Sequence, residues 1–304
     1  MSHHNPKVLI AYDGSANADA TIIDLKQAGL GKKVHARVIS ASDIPILPLE
    51  SLAVATDVIL AGAYAMNRPK THDLLKEARE LAKKGAQKLR KEFPSWTISS
   101  AGVIDSPAHG ILKAAEKWKP SLIALGSKGR GTMERLLLGS VSHRVLTHGT
   151  CNVRVTRQHL HSSVVVPRVL VAVDGSKDAE VMVERVAARF WEKTAEFRVI
   201  VVVDYRLSMI HDFRPKNRGS GFTDFPERIA EAAMRRLSDA GLKVTSAVRE
   251  GDSRREILLE AKRFKANSLF LGSRGLGGLG RFFLGSVSSY LAEHAPCTVE
   301  VDRR

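Results

Sequence analysis

Leu125–Val155 reads LGSKGRGTMERLLLGSVSHRVLTHGTCNVRV, and Leu271–Val301 reads LGSRGLGGLGRFFLGSVSSYLAEHAPCTVEV. Each stretch ends an apolar run, passes through a glycine-rich loop, opens a helical segment on Gly-Ser and closes on a second apolar run. The spacing Gly-x2-Gly-x9-Gly-Ser is kept in both: Gly126, Gly129, Gly139 and Ser140, then Gly272, Gly275, Gly285 and Ser286. A cation follows the first Gly-Ser of each loop, Lys128 and Arg274, and a second sits further along, Arg135 and Arg281. Glycine lacks a Cβ, so backbone can approach an anion closely. Successive N–H groups can cup an anion, and a helix N-terminus offers unpaired donors at a positive dipole end. The pattern points to phosphate. Its structural alternative is a tight turn with Ser140 as a helix cap.

Outward from these loops the duplication continues. Lys7–Ser15 (KVLIAYDGS) matches Arg168–Ser176 (RVLVAVDGS). Between the matched blocks, Ala16–Ala124 is longer than Lys177–Phe270 by 15 residues, and the excess falls in Asp43–His72 against Asp204–Phe225. A period of about 150 residues is a domain and not a solenoid repeat. The reading is two tandem domains, residues 1–157 and 166–304, joined by RQHLHSSVVV at Arg157–Val166.

Each copy alternates strand and helix signals. In the first, Val8–Ala11, Val34–Ala41, Trp96–Ile104, Ser121–Leu125 and Val153–Thr156 read as strands. Asn17–Ala28 reads as a helix with Ile22, Ile23 and Leu25 inward. Asp73–Glu92, Ile111–Trp118 and Ser140–His148 read as further helices. Strict alternation argues for an α/β fold with a parallel sheet covered on both faces, and for ligands beyond the carboxyl ends of the strands.

With these residues in view, the chain resembles the universal stress protein family in its tandem-domain form. The glycine loop after the fourth strand and Asp13 or Asp174 after the first carry the resemblance, which spans nearly the whole chain. It implies two doubly wound domains, each a five-stranded parallel sheet in the order 3-2-1-4-5 with helices on both faces. It also implies ATP binding, with AMP or ADP as alternatives and Mg²⁺ held through the phosphates. By position, the adenosine would lie near Ala11, Tyr12, Asp13 and Ser40 or Ala41, and the phosphates along Gly126, Lys128, Gly129, Gly139, Ser140 and Val141. The second site would use Ala172, Val173, Asp174, Val203, Gly272, Arg274, Gly275, Gly285, Ser286 and Val287. Asp13 and Asp174 also suit a turn before Gly-Ser, and the two roles are compatible.

Other readings are weaker. Gly275–Gly280 fits a dinucleotide fingerprint, but the first copy lacks its third glycine, and neither loop has the Gly-Lys-Ser/Thr of a P-loop. Cys151 and Cys297 each follow a histidine by three residues, yet both precede an apolar run where a thiol packs well. No metal site or catalytic residue is assigned. Glu134 is the single carboxylate in the two glycine loops, which argues against efficient phosphoryl transfer; slow ATP hydrolysis, or a scaffold with inactive sites, are the alternatives. The formal charge of +15 is spread along the chain without a basic block interleaved with aromatics, so nucleic acid is not the expected partner.

The chain shows no signal-peptide layout and no membrane-length apolar run, so a soluble, cytoplasmic stress or signalling protein is expected. The resemblance implies fifth strands that pair antiparallel as an internal pseudo-dimer, with room for a further homodimer and an unknown protein partner. Leu49–Ala63 has helical spacing and should end before Pro69, whereas Arg206–Gly221 reads as a mobile basic loop, so access to the two sites should differ.

Overall fold

The computed structural model describes residues 5–43, 57–129, 138–157, 166–204, 224–273, 275 and 284–303, with the side chains of 57–70 and 224 left aside. The first half runs β1 (Lys7–Ala11), α1 (Ala16–Asp24, with a 3-10 turn at Leu25–Gln27), β2 (His35–Ser42), α2 (Asp57–Glu92), β3 (Thr97–Ile104), α3 (Pro107–Trp118), β4 (Leu122–Gly126), α4 (Ser140–His148) and β5 (Asn152–Thr156). The second repeats it: β6 (Arg168–Val173), α5 (Lys177–Ala187), β7 (Glu196–Val203), α6 (Asp224–Asp239), β8 (Lys243–Glu250), α7 (Ser253–Arg263), β9 (Ser268–Gly272), α8 (Ser286–His294) and β10 (Thr298–Asp302).

The ten strands form one sheet in the order β3-β2-β1-β4-β5-β10-β9-β6-β7-β8. Each half is parallel with the expected order 3-2-1-4-5, so the fold class read from the sequence holds. The two halves do not form separate sheets: β5 and β10 pair antiparallel, with Val155 opposite Val299, Arg154 opposite Glu300 and Val153 opposite Val301.

Alternation along the strands sorts the core. Val8, Ile10 and Tyr12 face α1 and α2, while Leu9 and Ala11 face α3 and α4. On the second face the apolar core is continuous across the β5–β10 junction, joining Val153 and Val155 to Val299 and Val301. On the first face there are two separate cores, one per half. A strand buried on both sides must be apolar at every position, which is why β1 reads as an unbroken run.

Two helix expectations need correcting. Ile23 does not point inward: it is 36% exposed, while Ile22 and Leu25 are buried. At about 3.6 residues per turn, Ile22 and Leu25 share a face, and Ile23 is turned well away from it. The helix through the insertion does not stop before Pro69 either. α2 is continuous from Asp57 through Pro69 to Glu92, 36 residues. Proline removes one backbone hydrogen bond and biases the preceding residue away from helix, but helix-forming sequence on both sides can carry a helix past it. Residues 49–56 and 205–223, on which the remainder of the expected insertion helix and the expected basic loop fall, lie outside the described residues.

Off the sheet, a second junction joins the halves. The N–H of Phe190 donates to the carbonyl of Gly29 at 2.9 Å. Gly29 has φ +64°, and a Cβ there would lie 2.8–2.9 Å from the ring of Trp191. That ring cannot yield easily, since its Nε1 donates to the Val186 carbonyl at 2.7 Å and it packs edge-on against Phe197. Gly29→Ala is therefore expected to cost about 2–4 kcal/mol, left-handed strain plus overpacking. Urea unfolding would check this, and a loss under about 1 kcal/mol would show the contact to be slack.

Glu260 on α7 is fully buried and accepts from Arg198 at 2.8 Å and Arg249 at 2.9 Å. Burial alone would raise its pKa; the two arginines outweigh it and hold the carboxyl below the usual range. The folded value is depressed, so the ionised form contributes stability above the ordinary glutamate pKa of about 4.3, and that contribution is lost as pH falls through the lowered value. Glu260→Gln should show a flatter loss of melting temperature below about pH 4.3 than the parent. Parallel acid slopes in the two would contradict this.

Candidate functional site

The candidate sites lie at the carboxyl ends of β1 and β4, and of β6 and β9. These strands are adjacent, and the chain leaves them toward opposite sides, the switch point of a doubly wound sheet.

After β1 the chain turns at Asp13-Gly14-Ser15. Gly14 has φ +78°, and Asp13 Oδ1 accepts from the N–H of Ser15 at 3.0 Å. Ser15 Oγ then caps α1 by accepting from Ala18 N–H at 3.2 Å. After β6 the same turn recurs: Gly175 has φ +78°, Asp174 Oδ1 accepts from Ser176 N–H at 3.0 Å, and Ser176 Oγ accepts from Ala179 N–H at 3.2 Å. The aspartates thus form their turns through one carboxylate oxygen. The other oxygen faces the glycine loop. A Cβ on Gly129 would lie 2.8 Å from Asp13 Oδ2, and one on Gly275 would lie 2.8 Å from Asp174 Oδ2. Each loop backbone comes so close to its aspartate that only glycine fits without displacing it.

The loops are closed at their base. Gly139 N–H donates to Ser127 C=O at 2.8 Å, and Gly285 N–H to Ser273 C=O at 2.7 Å. Ser142 Oγ donates to Gly126 C=O at 2.7 Å, and Ser288 Oγ to Gly272 C=O at 2.7 Å. This settles the donors. The N–H of Gly139 and of Gly285 and the hydroxyls of Ser142 and Ser288 are spent inside the loop. The first helical bonds are His143 N–H to Gly139 C=O and Ser289 N–H to Gly285 C=O, each 2.9 Å. The N–H groups of Ser140, Val141 and Ser142, and of Ser286, Val287 and Ser288, precede them at the positive end of the helix. Ser140 and Ser286 are exposed there. Lys128 is half-buried beside Gly129 in the first loop; Arg274 and residues 130–137 and 276–283, with Arg135, Arg281 and Glu134 among them, lie outside the described residues.

The residues expected around adenosine divide. Ala11 and Ala172 face α3–α4 and α7–α8, the side on which the loop helices lie. Ala41 lies on the same side: a Cβ on Gly110 of α3 would lie 3.3 Å from its Cβ and 3.1 Å from Val103. Tyr12 and Val173 point to the opposite face. The Tyr12 hydroxyl donates to Asp19 Oδ1 at 2.7 Å, with Lys88 on the same carboxylate at 2.6 Å, so only backbone from Tyr12 reaches the site side. Its pKa is raised by burial and by Asp19. Val203 is displaced by one residue. Ala11 is opposite Ile39 and Ala172 opposite Ile200, so Val202, which packs on the shared core, is the partner of Ala41.

One pair near the first site escaped the sequence reading. Asp105 directly follows β3 and accepts from His109, in the first turn of α3, at 2.7 Å. The hydrogen bond from His109 holds its carboxyl below the usual range. Asp105 also borders Gly110 and hence Ala41. Asp and His four residues apart at a helix start were the available signal. In the second half this position is Gly251, with φ +134°, followed by Asp252, which caps α7 through Arg255 N–H at 3.0 Å.

Burial pushes both cysteine thiols up to about 12, away from the thiolate form in which a cysteine is nucleophilic. Among the described residues no group of three or more His, Cys, Asp or Glu is placed to hold a metal, and no helix is long and apolar enough to cross a membrane.

The model of the universal stress protein family matches residues 4–157 and again residues 166–303. The chain belongs to the universal stress protein family. A universal stress protein of Mycolicibacterium smegmatis is 27% identical over 306 residues, covering 97% of this chain and 96% of its own. One of Methanocaldococcus jannaschii is 30% identical over 153 residues, half of this chain and 82% of its own. The crystal structure of a universal stress protein from Archaeoglobus fulgidus shares the fold, with a TM-score of 0.60 at 24% identity over 98% of this chain and 96% of that one. In this tandem universal stress protein both halves keep the turn aspartate and the loop glycine in the same close contact.

Proposed function

We propose that this universal stress protein binds ATP at two sites, one in each half, and acts in stress response or signalling through nucleotide-dependent conformation or interaction. The observation that carries the reading is the duplicated contact of Gly129 on Asp13 and of Gly275 on Asp174, beside a helix N-terminus. A backbone cradle that a Cβ would fill, next to N–H groups with no partner inside their helix, suits a phosphate chain. Ser140 and Val141, or Ser286 and Val287, would bind phosphate oxygens. Ala11 with Ala41, or Ala172 with Val202, would give an apolar seat for the base. Bound ATP would bring Mg²⁺ on its phosphates, with the aspartate carboxylates nearby. The two halves would act as an internal pseudo-dimer.

The sites are not equivalent. The first has the Asp105–His109 pair at its edge, and the second has Gly251 and the α7 start in that place. Denaturing purified chain and separating the released small molecules by chromatography tests the reading. Adenine nucleotide in the supernatant is expected; a chain that neither releases nor takes up one would overturn it.

A further inference from the structure

The junction between the halves has two different faces. On one, the apolar core runs through it, and such contacts are non-directional and select no partner. On the other, Arg154 and Glu300 alternate away from that core and meet directly opposite each other, both fully buried. Arg154 Nη1 donates to Glu300 at 3.2 Å. Arg154 is also held within its own half by Asp24, at 2.6 and 3.2 Å, and across the junction by Ser268 at 2.9 Å, while Glu300 is held within its own half by Arg189. Further bonds cross the junction: Thr298 donates to Asp24 at 2.8 Å, and Arg189 to the Ala28 carbonyl at 2.8 Å.

The strand register shows what a like pairing would do. Val155 lies opposite Val299 and Val153 opposite Val301, and by the repeat Val153 matches Val299, Arg154 matches Glu300 and Val155 matches Val301. The pseudo-twofold axis therefore passes through Arg154 and Glu300. Two first halves in this register would place Arg154 against Arg154; two second halves would place Glu300 against Glu300. Thr298 and Arg189 would lose their partners across the junction as well. A like pair would keep its own-half counter-ions, Asp24 or Arg189, but it would lose the Arg154–Glu300 attraction and set two like charges against each other in a buried interface, a device against the wrong partner.

The reciprocal caps at the junction behave differently. Arg157 donates to the Ala292 carbonyl at the end of α8, and Arg303 to the Thr147 carbonyl at the end of α4. These two arginines match by the repeat, so a like pair would keep them. They strengthen the junction without choosing between partners.

We propose that the β5–β10 junction is charge-coded for the unlike pair: residues 5–157 dock on residues 166–303, and neither half docks on a copy of itself through its fifth strand. Its partner is thus the opposite half, from the same chain or from an exchanged second chain. The inference is independent of nucleotide binding.

The test uses the full chain with a protease site placed in 158–165, cut after folding. Cut protein is mixed with cut ¹⁵N-labelled protein and followed by native mass spectrometry. Unlike pairs, light with heavy included, should outnumber like pairs by about a hundredfold or more. A statistical mixture of like and unlike pairs would overturn the proposal, and so would halves that separate and stay single. Arg154→Met with Glu300→Met removes both charges at nearly constant volume and should let like pairs rise toward their statistical share. Glu300→Gln alone, a milder change, should raise only the pair of second halves. Selectivity unchanged in whichever of these variants folds would place the choice elsewhere and refute the code.

Discussion

Asp24→Ala is expected to destabilise the chain by about 3–5 kcal/mol, the usual loss when one partner of a buried ion pair is removed. Asp24 is the last residue of α1 and is 2% exposed. A carboxylate at a helix C-terminus is electrostatically disfavoured, so its neighbours must more than compensate. They do so with four hydrogen bonds: Arg154 Nε at 2.6 Å, Arg154 Nη2 at 3.2 Å, Thr156 at 3.2 Å and Thr298 at 2.8 Å. Burial pulls the Arg154 guanidinium down, yet Asp24 and Glu300 outweigh that and hold it above its ordinary value. Without Asp24 a buried guanidinium keeps only Glu300 and Ser268. The check is urea unfolding, in which the midpoint should fall with little change in slope. The half-exposed Lys88–Asp19 pair is the control, where loss of the ion pair itself should cost no more than about 1 kcal/mol. An Asp24→Ala loss as small as that would mean the junction does not depend on its charges.

Gly129→Val with Gly275→Val is expected to reduce ATP affinity at both sites by well over tenfold, about 1.4 kcal/mol or more each. In each loop a Cβ would sit 2.8 Å from the aspartate oxygen, and among the described residues no other atom lies closer than 3.9 Å in the first loop or 4.0 Å in the second. The added atoms therefore push loop and aspartate apart, which alters the cradle and spares the core. Both glycines are exposed, so the melting temperature without nucleotide should change little. The readout is the ATP-induced rise in melting temperature, which follows the ratio of ligand to Kd. It should vanish in the double variant and persist in part in each single one. A double variant stabilised by ATP like the parent would remove the loops from the nucleotide site.

The parts of this architecture that sequence carries are those whose chemistry is contiguous. Strand, glycine loop and helix follow one another in Leu122–His148 and again in Ser268–His294, so the loop's place and its helix could be read from the residues, while the sheet order was what the family resemblance implied. Directions within a strand were legible too. Val8, Ile10 and Tyr12 share one face by simple alternation, which already sends the Tyr12 ring away from Ala11. Matching the repeat from Val169 likewise makes Val202, and not Val203, the counterpart of Ala41. The passage of α2 through Pro69 was not legible, because a local bias is outweighed there by the helix on either side. The junction charges were hidden for another reason. Arg154 between two valines reads as the solvent face of a strand, and its partners Asp24 and Glu300 stand 130 and 146 residues away. Only the joined sheet buries it.

The most direct test of the two-site reading is calorimetric titration of the nucleotide-free full chain with Mg-ATP. Two binding events per chain are expected, of unequal affinity because Asp105 and His109 border only the first site, and adenosine lacking phosphates should bind far more weakly. Absence of saturable ATP binding up to millimolar concentration, or adenosine binding as tightly as ATP, would contradict the assignment of the two glycine loops to phosphate.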